Sequence, residues 1–207
     1  MTKLLLKSAT AAAALFAVVG IANAEMIARA TADLNIRSGP GPHYPVVGVI
    51  GVNEDASING CREGSKWCAV SHAGINGWAY SDYLTAPFGG GDDYVVVTER
   101  PADALPPVSY EVTSSVEAEV VRGELIGRKT ALGTIEPISA PPVEVRTYVE
   151  TNTVEPVYLD GEVVVGAALP ETVEVREIPD YDYRYVYVNE QPVLVEPETR
   201  RIVYVLR

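Results

Sequence analysis

The chain has 207 residues and carries 28 acidic against 16 basic side chains, a formal net charge of −12. This acidic balance argues against a protein that binds nucleic acid or an anionic lipid surface. The charge is uneven, because residues 25–91 hold six acids and four bases whereas residues 92–207 hold 22 acids and ten bases. The sequence therefore predicts two segments of different character, each too small for a large core.

Residues 1–24 are typical of a cleavable secretory signal. Lys3 and Lys7 form a basic start, residues 9–21 are an almost wholly apolar run, and a small-x-small cleavage site ends at Ala24. The alternative is a retained membrane anchor, but the run is short for a span and no basic stop-transfer cluster follows it. We expect a signal helix removed after Ala24, no stable membrane insertion, and a mature protein in the periplasm or outside the cell.

Residues 28–84 predict a small closed β-barrel, because short β-branched runs alternate with turn residues. A Gly-Pro break at residues 38–42 separates the first run from the second. We expect Asn76 and Gly77 to supply the positive φ of a hairpin near the end of the segment. The expected strands are 30–37, 45–50, 56–61, 67–71 and 77–80, closed by a turn or short strand at 81–84.

Three motifs in this segment resemble the bacterial SH3 (SH3b) family. Residues 34–40 (Leu-Asn-Ile-Arg-Ser-Gly-Pro) resemble the L-N-x-R-x-G-P opening of that family, and residues 77–79 (Gly-Trp-Ala) with Leu84 resemble its ending. Between them lie residues 60–61 (Gly-Cys) and 67–70 (Trp-Cys-Ala-Val). The resemblance implies an SH3-like barrel that recognises peptidoglycan peptides or protein partners of the cell wall.

Cys61 and Cys68 are the two cysteines of the chain. In an exported protein two cysteines this close are expected to pair, which would contribute roughly 2–3 kcal/mol of stability. The alternatives are free thiols, a metal site with His72 and His43, and a cysteine nucleophile served by His72. The C-x6-C-x3-H spacing fits no strong zinc pattern, and no orienting acid or nucleophile motif lies nearby. We therefore predict a disulfide, with no metal and no cofactor.

Aromatic side chains of the barrel, together with one arginine, are the candidates for a ligand groove, because rings give a large contact area at low entropic cost. By resemblance the two tryptophans fall where the family packs its core, and the tyrosines are the better surface candidates. The arginine could meet a carboxylate with two hydrogen bonds, or could be a solvated strand residue. The predicted binding residues are Arg37, Tyr44, Trp67, Trp78, Tyr80 and Tyr83, with His43 beside them.

Residues 85–119 predict a linker rich in proline and glycine, in which residues 94–97 could form one short strand. Residues 120–207 predict an acidic, β-rich domain. Within it Tyr148-Val149 aligns with Tyr187-Val188 at an offset of 39 residues, which favours a two-unit repeat.

The end of this domain predicts a strand and a hairpin, from its β-branched and aromatic content and from a turn at residues 196–199. The strand covers residues 183–188, with its tyrosines on the half-buried face, and the hairpin joins 192–195 to 201–206. Residues 145–207 resemble a domain-of-unknown-function family of alphaproteobacterial envelope proteins. The resemblance is carried by residues 165–170, 178–179, 185–189 and 193–203. This resemblance implies that these residues form a domain, but it implies no activity and no site residues.

Function is predicted from these modules and from the motifs that the sequence lacks. The sequence has no nucleophile elbow, phosphate loop, zinc motif or dinucleotide fingerprint. Asp180 and Asp182 follow no EF-hand pattern, which argues against calcium binding. We predict a non-catalytic envelope binding or scaffolding protein, whose partner is a peptidoglycan peptide or an envelope protein. The alternatives are an accessory cell-wall hydrolase and a purely structural or stress-related envelope protein, and the oligomeric state stays open.

Overall fold

The computed structural model describes residues 26–88, 94–110, 123–125 and 138–207. These residues form two antiparallel sheets and one α-helix, which confirms the predicted β-rich fold with its two β domains. The predicted signal helix and its cleavage site lie outside the described residues. Within those four ranges, no helix is both long enough and apolar enough to cross a bilayer.

The first sheet is the predicted barrel with two additional strands. Its strands are β1 (Met26–Ala30), β2 (Leu34–Arg37), β3 (Val46–Ile50), β4 (Asp55–Cys61), β5 (Trp67–His72), β6 (Ile75–Tyr80), β7 (Leu84–Pro87) and β8 (Tyr94–Val96). In the sheet they lie in the order β3-β2-β6-β5-β4-β1-β7-β8, and a 3₁₀ turn at Ser81–Tyr83 joins β6 to β7. Because Thr85 pairs with both Arg29 and Val96, the sheet continues into the segment predicted as a linker.

The hairpin between β5 and β6 has a different turn from the predicted one. His72 pairs with Ile75, so the loop consists of Ala73 and Gly74, whose φ angles are 49° and 82°. Both central residues of such a two-residue turn require positive φ. The prediction that Asn76-Gly77 forms the turn was wrong, because those residues lie inside β6. The observed register places Trp67 opposite Tyr80, with both side chains in the core.

The second sheet contains the predicted strand and hairpin. It consists of β9 (Arg176–Glu177), β10 (Arg184–Val188), β11 (Gln191–Val195) and β12 (Ile202–Val205), in the order β12-β11-β10-β9. A two-residue turn joins β10 to β11, since Val188 pairs with Gln191 and the intervening Asn189 and Glu190 have φ angles of 50° and 68°. Asparagine tolerates this left-handed conformation better than most residues.

The predicted two-unit repeat does not describe the structure. Tyr148-Val149 lies in the helix α1 (Val143–Thr151), whereas its aligned partner Tyr187-Val188 lies in β10. Val145 and Val149 are one helical turn apart and both are buried, so this segment meets the core at a helical spacing. The similarity of the two segments is therefore one of composition and not of structure.

The second sheet packs on both faces. Val186, Val188 and Val193 belong to the same core cluster as the barrel residues, so the two domains share one continuous apolar interior. On the opposite face, Tyr185 and Leu194 pack against α1, as expected for a half-buried tyrosine row. The Tyr185 hydroxyl donates to the Asn152 carbonyl at 2.7 Å, and the Tyr187 hydroxyl to the Val149 carbonyl at 3.1 Å. These bonds satisfy backbone acceptors at the helix end.

Candidate functional site

The disulfide between Cys61 and Cys68 joins the end of β4 to the start of β5, as predicted. It closes the loop at residues 62–67, which we call the disulfide loop. Arg62 N–H donates to the Trp67 carbonyl at 2.9 Å, so the loop is also held by its own backbone. The disulfide loop therefore has a defined conformation beside the barrel.

Residues 105–110, which we call the strap, run along the end of β4. Val108 N–H donates to the Cys61 carbonyl at 3.0 Å, and Cys61 N–H donates to the Pro106 carbonyl at 3.2 Å. The approach requires glycine at position 60, where φ is 145° and a Cβ would lie 2.5 Å from the Pro106 carbonyl oxygen. The strap is thus part of the barrel, although its sequence belongs to the predicted linker.

The strap ends in Tyr110, which covers the predicted aromatic groove. Its ring makes edge contacts with Tyr44 and Trp78, at centroid distances of 5.7 Å and 5.5 Å. Tyr44 is 9% exposed and Trp78 is 7% exposed. His43 lies against Tyr44 at 4.4 Å and is half-buried. This part of the predicted groove is closed by a residue of the same chain that we did not identify from the sequence.

Tyr80 and Tyr83 lie in the core, so the expectation that they are surface residues was wrong. Each is 3% exposed, and Trp67 packs edge-on against Tyr80 at 5.3 Å. Trp67 is buried as expected. The reason is the short 3₁₀ turn at Ser81–Tyr83, which directs both tyrosines inward where a regular strand would alternate. Burial raises the pKa of both phenols.

This burial predicts sensitivity to alkali. Burial, with nearby Asp82, raises the pKa of Tyr83 above its ordinary value of 10.0, so the unfolded chain loses the proton first. The stability from the neutral phenol is complete below that value and is lost as the pH rises through the folded pKa. We expect Tyr83→Phe to reduce the fall in thermal midpoint between about pH 9 and about pH 12. Exposed Tyr94→Phe is the control, and equal slopes for both variants would refute this prediction.

Arg37 is completely buried and does not face solvent. Its Nε and Nη2 donate to the two carboxylate oxygens of Glu162, both at 2.8 Å. Its Nη1 donates to the carbonyls of Pro42 and Tyr44 at 3.0 Å and 2.8 Å. The predicted two-point carboxylate contact therefore exists, but the carboxylate belongs to the second domain. In this structure Arg37 is unavailable to an external ligand.

Glu162 forms a buried ion pair between the two domains, and it was not identified from the sequence. Its Oε1 also accepts from Asn35 Nδ2 and from Val163 N–H, each at 2.8 Å. Asn35 Nδ2 donates a second bond to Gln191 Oε1 at 2.8 Å. Four donors thus compensate the carboxylate for its loss of water. A single acid beside the apolar run at 163–165 was the available signal.

An open cleft of about 950 Å³ lies between the disulfide loop, the strap and the second domain. Its volume lies within the range of roughly 300–1,000 Å³ that is common for small-ligand pockets. Ala102 and Pro107 contribute exposed apolar surface, and the lining also includes the largely buried Trp67 and Leu105. The charged lining residues are Arg62, Glu63, Lys66, Asp82, Arg100 and Asp160. We call this feature the loop cleft.

Two of these charges neutralise each other. Lys66 Nζ donates to Asp82 Oδ2 at 3.0 Å and to Glu124 Oε1 at 3.3 Å, and it lies 5.5 Å from the Tyr80 ring centroid. Partial burial works to lower the pKa of Lys66, but the hydrogen bond to Asp82 and the other nearby groups outweigh it and raise the pKa. Asp82 also accepts from Thr98 Oγ1 at 2.6 Å. Lys66 and Asp82 therefore hold the cleft wall together.

The remaining charges of the loop cleft have no oppositely charged partner among the residues that the structure describes. They are the guanidinium groups of Arg62 and Arg100 and the carboxylates of Glu63 and Asp160. Arg100 Nη1 donates to the Val97 carbonyl at 2.9 Å, while its Nε is buried without a hydrogen-bond partner in the described part of the chain. Burial lowers the pKa of Arg100. The cleft thus presents both signs of charge beside an apolar wall.

The described residues thus form a small disulfide-linked barrel that bears a charged cleft and packs on a second β domain. Residues 32–85 match the family model described as bacterial SH3 domain. Residues 148–207 match the model described as domain of unknown function (DUF1236). Both predicted resemblances are thereby confirmed. Comparison with curated proteins and with solved structures found no match. The bacterial SH3 match indicates a module of the cell-wall binding kind.

Proposed function

We propose that the protein is an exported, non-catalytic binding or scaffolding protein of the cell envelope. Its barrel engages peptidoglycan, and the second domain packs against the barrel and fixes its orientation. One observation carries the proposal: the segment that matches the bacterial SH3 model, residues 32–85, supplies most of the barrel side of an open cleft. An envelope protein as partner is the alternative.

Two features support export. The first 24 residues have the basic start, apolar run and small-residue end of a secretory signal. The pair Cys61–Cys68 is a disulfide, a bond that persists in oxidising compartments outside the cytoplasm. The periplasm or the cell exterior is therefore the proposed location. N-terminal sequencing of the mature protein tests it, with Glu25 as the expected first residue.

A sedimentation assay tests the binding function. We expect the purified protein to pellet with isolated peptidoglycan and to release no soluble muropeptides, because the cleft offers complementary charges and Asp82 is held by Lys66 and Thr98. Arg176→Gln, in the second domain and outside the loop cleft, should pellet like the parent protein. Protein left entirely in the supernatant would refute peptidoglycan binding and favour a protein partner. Released muropeptides would favour the hydrolase alternative.

A further inference from the structure

We propose that the loop cleft is a receptor for the zwitterionic end of a short peptide, one that carries free carboxylate and free ammonium groups together. The inference rests on the proposed binding function and specifies its ligand and its site. It moves the site from the predicted aromatic groove at Tyr44 and Trp78 to the loop cleft, which the disulfide loop, the strap and Asp160 line.

The geometry of the barrel favours this cleft over the aromatic groove. Tyr110 packs against both Tyr44 and Trp78, and Arg37 is committed to Glu162. The loop cleft, in contrast, is open and has walls fixed by the disulfide and by the Lys66–Asp82 pair. A preformed wall reduces the entropy that binding must overcome.

The charges select the ligand. Arg62 offers a guanidinium group that can bind a carboxylate through two parallel hydrogen bonds. Arg100, whose Nη1 already donates to the Val97 carbonyl, offers its positive charge and its remaining donors. Glu63 and Asp160 offer carboxylates that suit an ammonium group. A polyanion would be repelled by those two acids and by the acidic second domain. A neutral sugar would leave all four charges unused. A peptide with both kinds of free group is the ligand class that uses them.

The apolar wall sets the size of the ligand. The exposed Ala102 and Pro107 line the cleft together with the charged groups, and the cleft volume of about 950 Å³ admits several residues. We therefore expect the charged end of a short peptide to bind the arginines and acids, while its aliphatic part contacts the wall. Cell-wall stem peptides and the ends of envelope proteins share this chemistry.

The test titrates the purified protein with the tripeptide Ala-Glu-Lys with free termini, or with a blocked form, acetylated and amidated Ala-Gln-Gln, which carries no charged group. We expect the free form to bind and the blocked form to bind at least about tenfold more weakly. Arg62→Gln and Arg100→Gln should each weaken binding by about tenfold, because each removes a charge-assisted hydrogen bond. Arg176→Gln should bind like the parent. Thermal melting establishes that each variant is folded.

Sedimentation separates failure of this inference from failure of the proposed function. We expect the folded double variant Arg62→Gln/Arg100→Gln to pellet poorly with peptidoglycan. We expect the parent protein to remain in the supernatant when it is mixed with glycan from which the peptides have been removed. If the double variant pellets fully, or if the parent pellets with stripped glycan, the zwitterion receptor is refuted while peptidoglycan binding stands. If the parent does not pellet at all, the proposed function fails, whatever the tripeptide does. Equal affinity for the free and blocked tripeptides would also refute the receptor.

Discussion

Replacing Glu162 by alanine should lower the free energy of unfolding by about 3–5 kcal/mol. The substitution leaves the Arg37 guanidinium buried, with two of its hydrogen-bond donors unpaired and no counter-charge. Asn35 loses one of its acceptors in the same change. Desolvation of an unpaired charge is the largest penalty that a single substitution in this interface can produce.

Urea unfolding followed by tryptophan fluorescence measures this loss. Glu177→Ala is the matched control, since Glu177 forms an ion pair with Arg184 at 2.9 Å but its side chain is 79% exposed. The control should change stability by less than about 1 kcal/mol. Equal losses for the two variants would contradict a stabilising role of the buried Arg37–Glu162 pair between the domains. Glu162→Gln, which keeps the shape but removes the charge, should fall between them.

Removing the disulfide should have the second-largest effect. The variant Cys61→Ala/Cys68→Ala should lose roughly 2–3 kcal/mol, because the unfolded chain regains the entropy of a short closed loop. Alanine avoids placing new hydroxyl groups in the core, where both cysteines are buried. The measurement is urea unfolding of the parent and of the variant, with and without dithiothreitol.

Dithiothreitol provides the internal control for that experiment. It should destabilise the parent by about as much as the double substitution does, and it should leave the double variant unchanged. A parent protein that unfolds at the same urea concentration in both conditions would contradict a stabilising role of Cys61–Cys68. Because the disulfide loop lines the loop cleft, the double variant should also bind the free tripeptide more weakly.

The shared core changes how the two halves should be understood. Sequence composition separated a nearly neutral barrel from an acidic second domain, yet Val186 and Val188 lie in one cluster with Leu34 and Ile36. Arg207 Nη2 adds a hydrogen bond to the Asp33 carbonyl at 3.1 Å, which links the chain end to the barrel. A ligand in the loop cleft would therefore touch both domains through Asp160, and the second domain takes part in the proposed function.

The barrel and the C-terminal hairpin followed from the sequence, because their signals are local. Alternation of apolar and polar residues, turn residues and β-branched runs each depend on only a few neighbouring residues. From these patterns the sequence predicted positions for β3, β4, β10 and the β11–β12 hairpin that are close to the observed ones. The spacing of Cys61 and Cys68 likewise predicted the disulfide without knowledge of the fold. Helix α1 was missed, because its nine residues include three valines and two threonines, which favour strands.

The site was decided by the tertiary structure, because its contacts join residues far apart in the chain. Arg37 was singled out as a carboxylate-binding residue, but its partner lies 125 positions away, and no local pattern identifies Glu162. Tyr110 closes the aromatic groove for the same reason, since only the folded strap brings it to Tyr44. The sequence by itself determined that this chain contains an SH3-like barrel with a disulfide. Only the packing of strap and second domain decided which barrel surface is covered and which remains open.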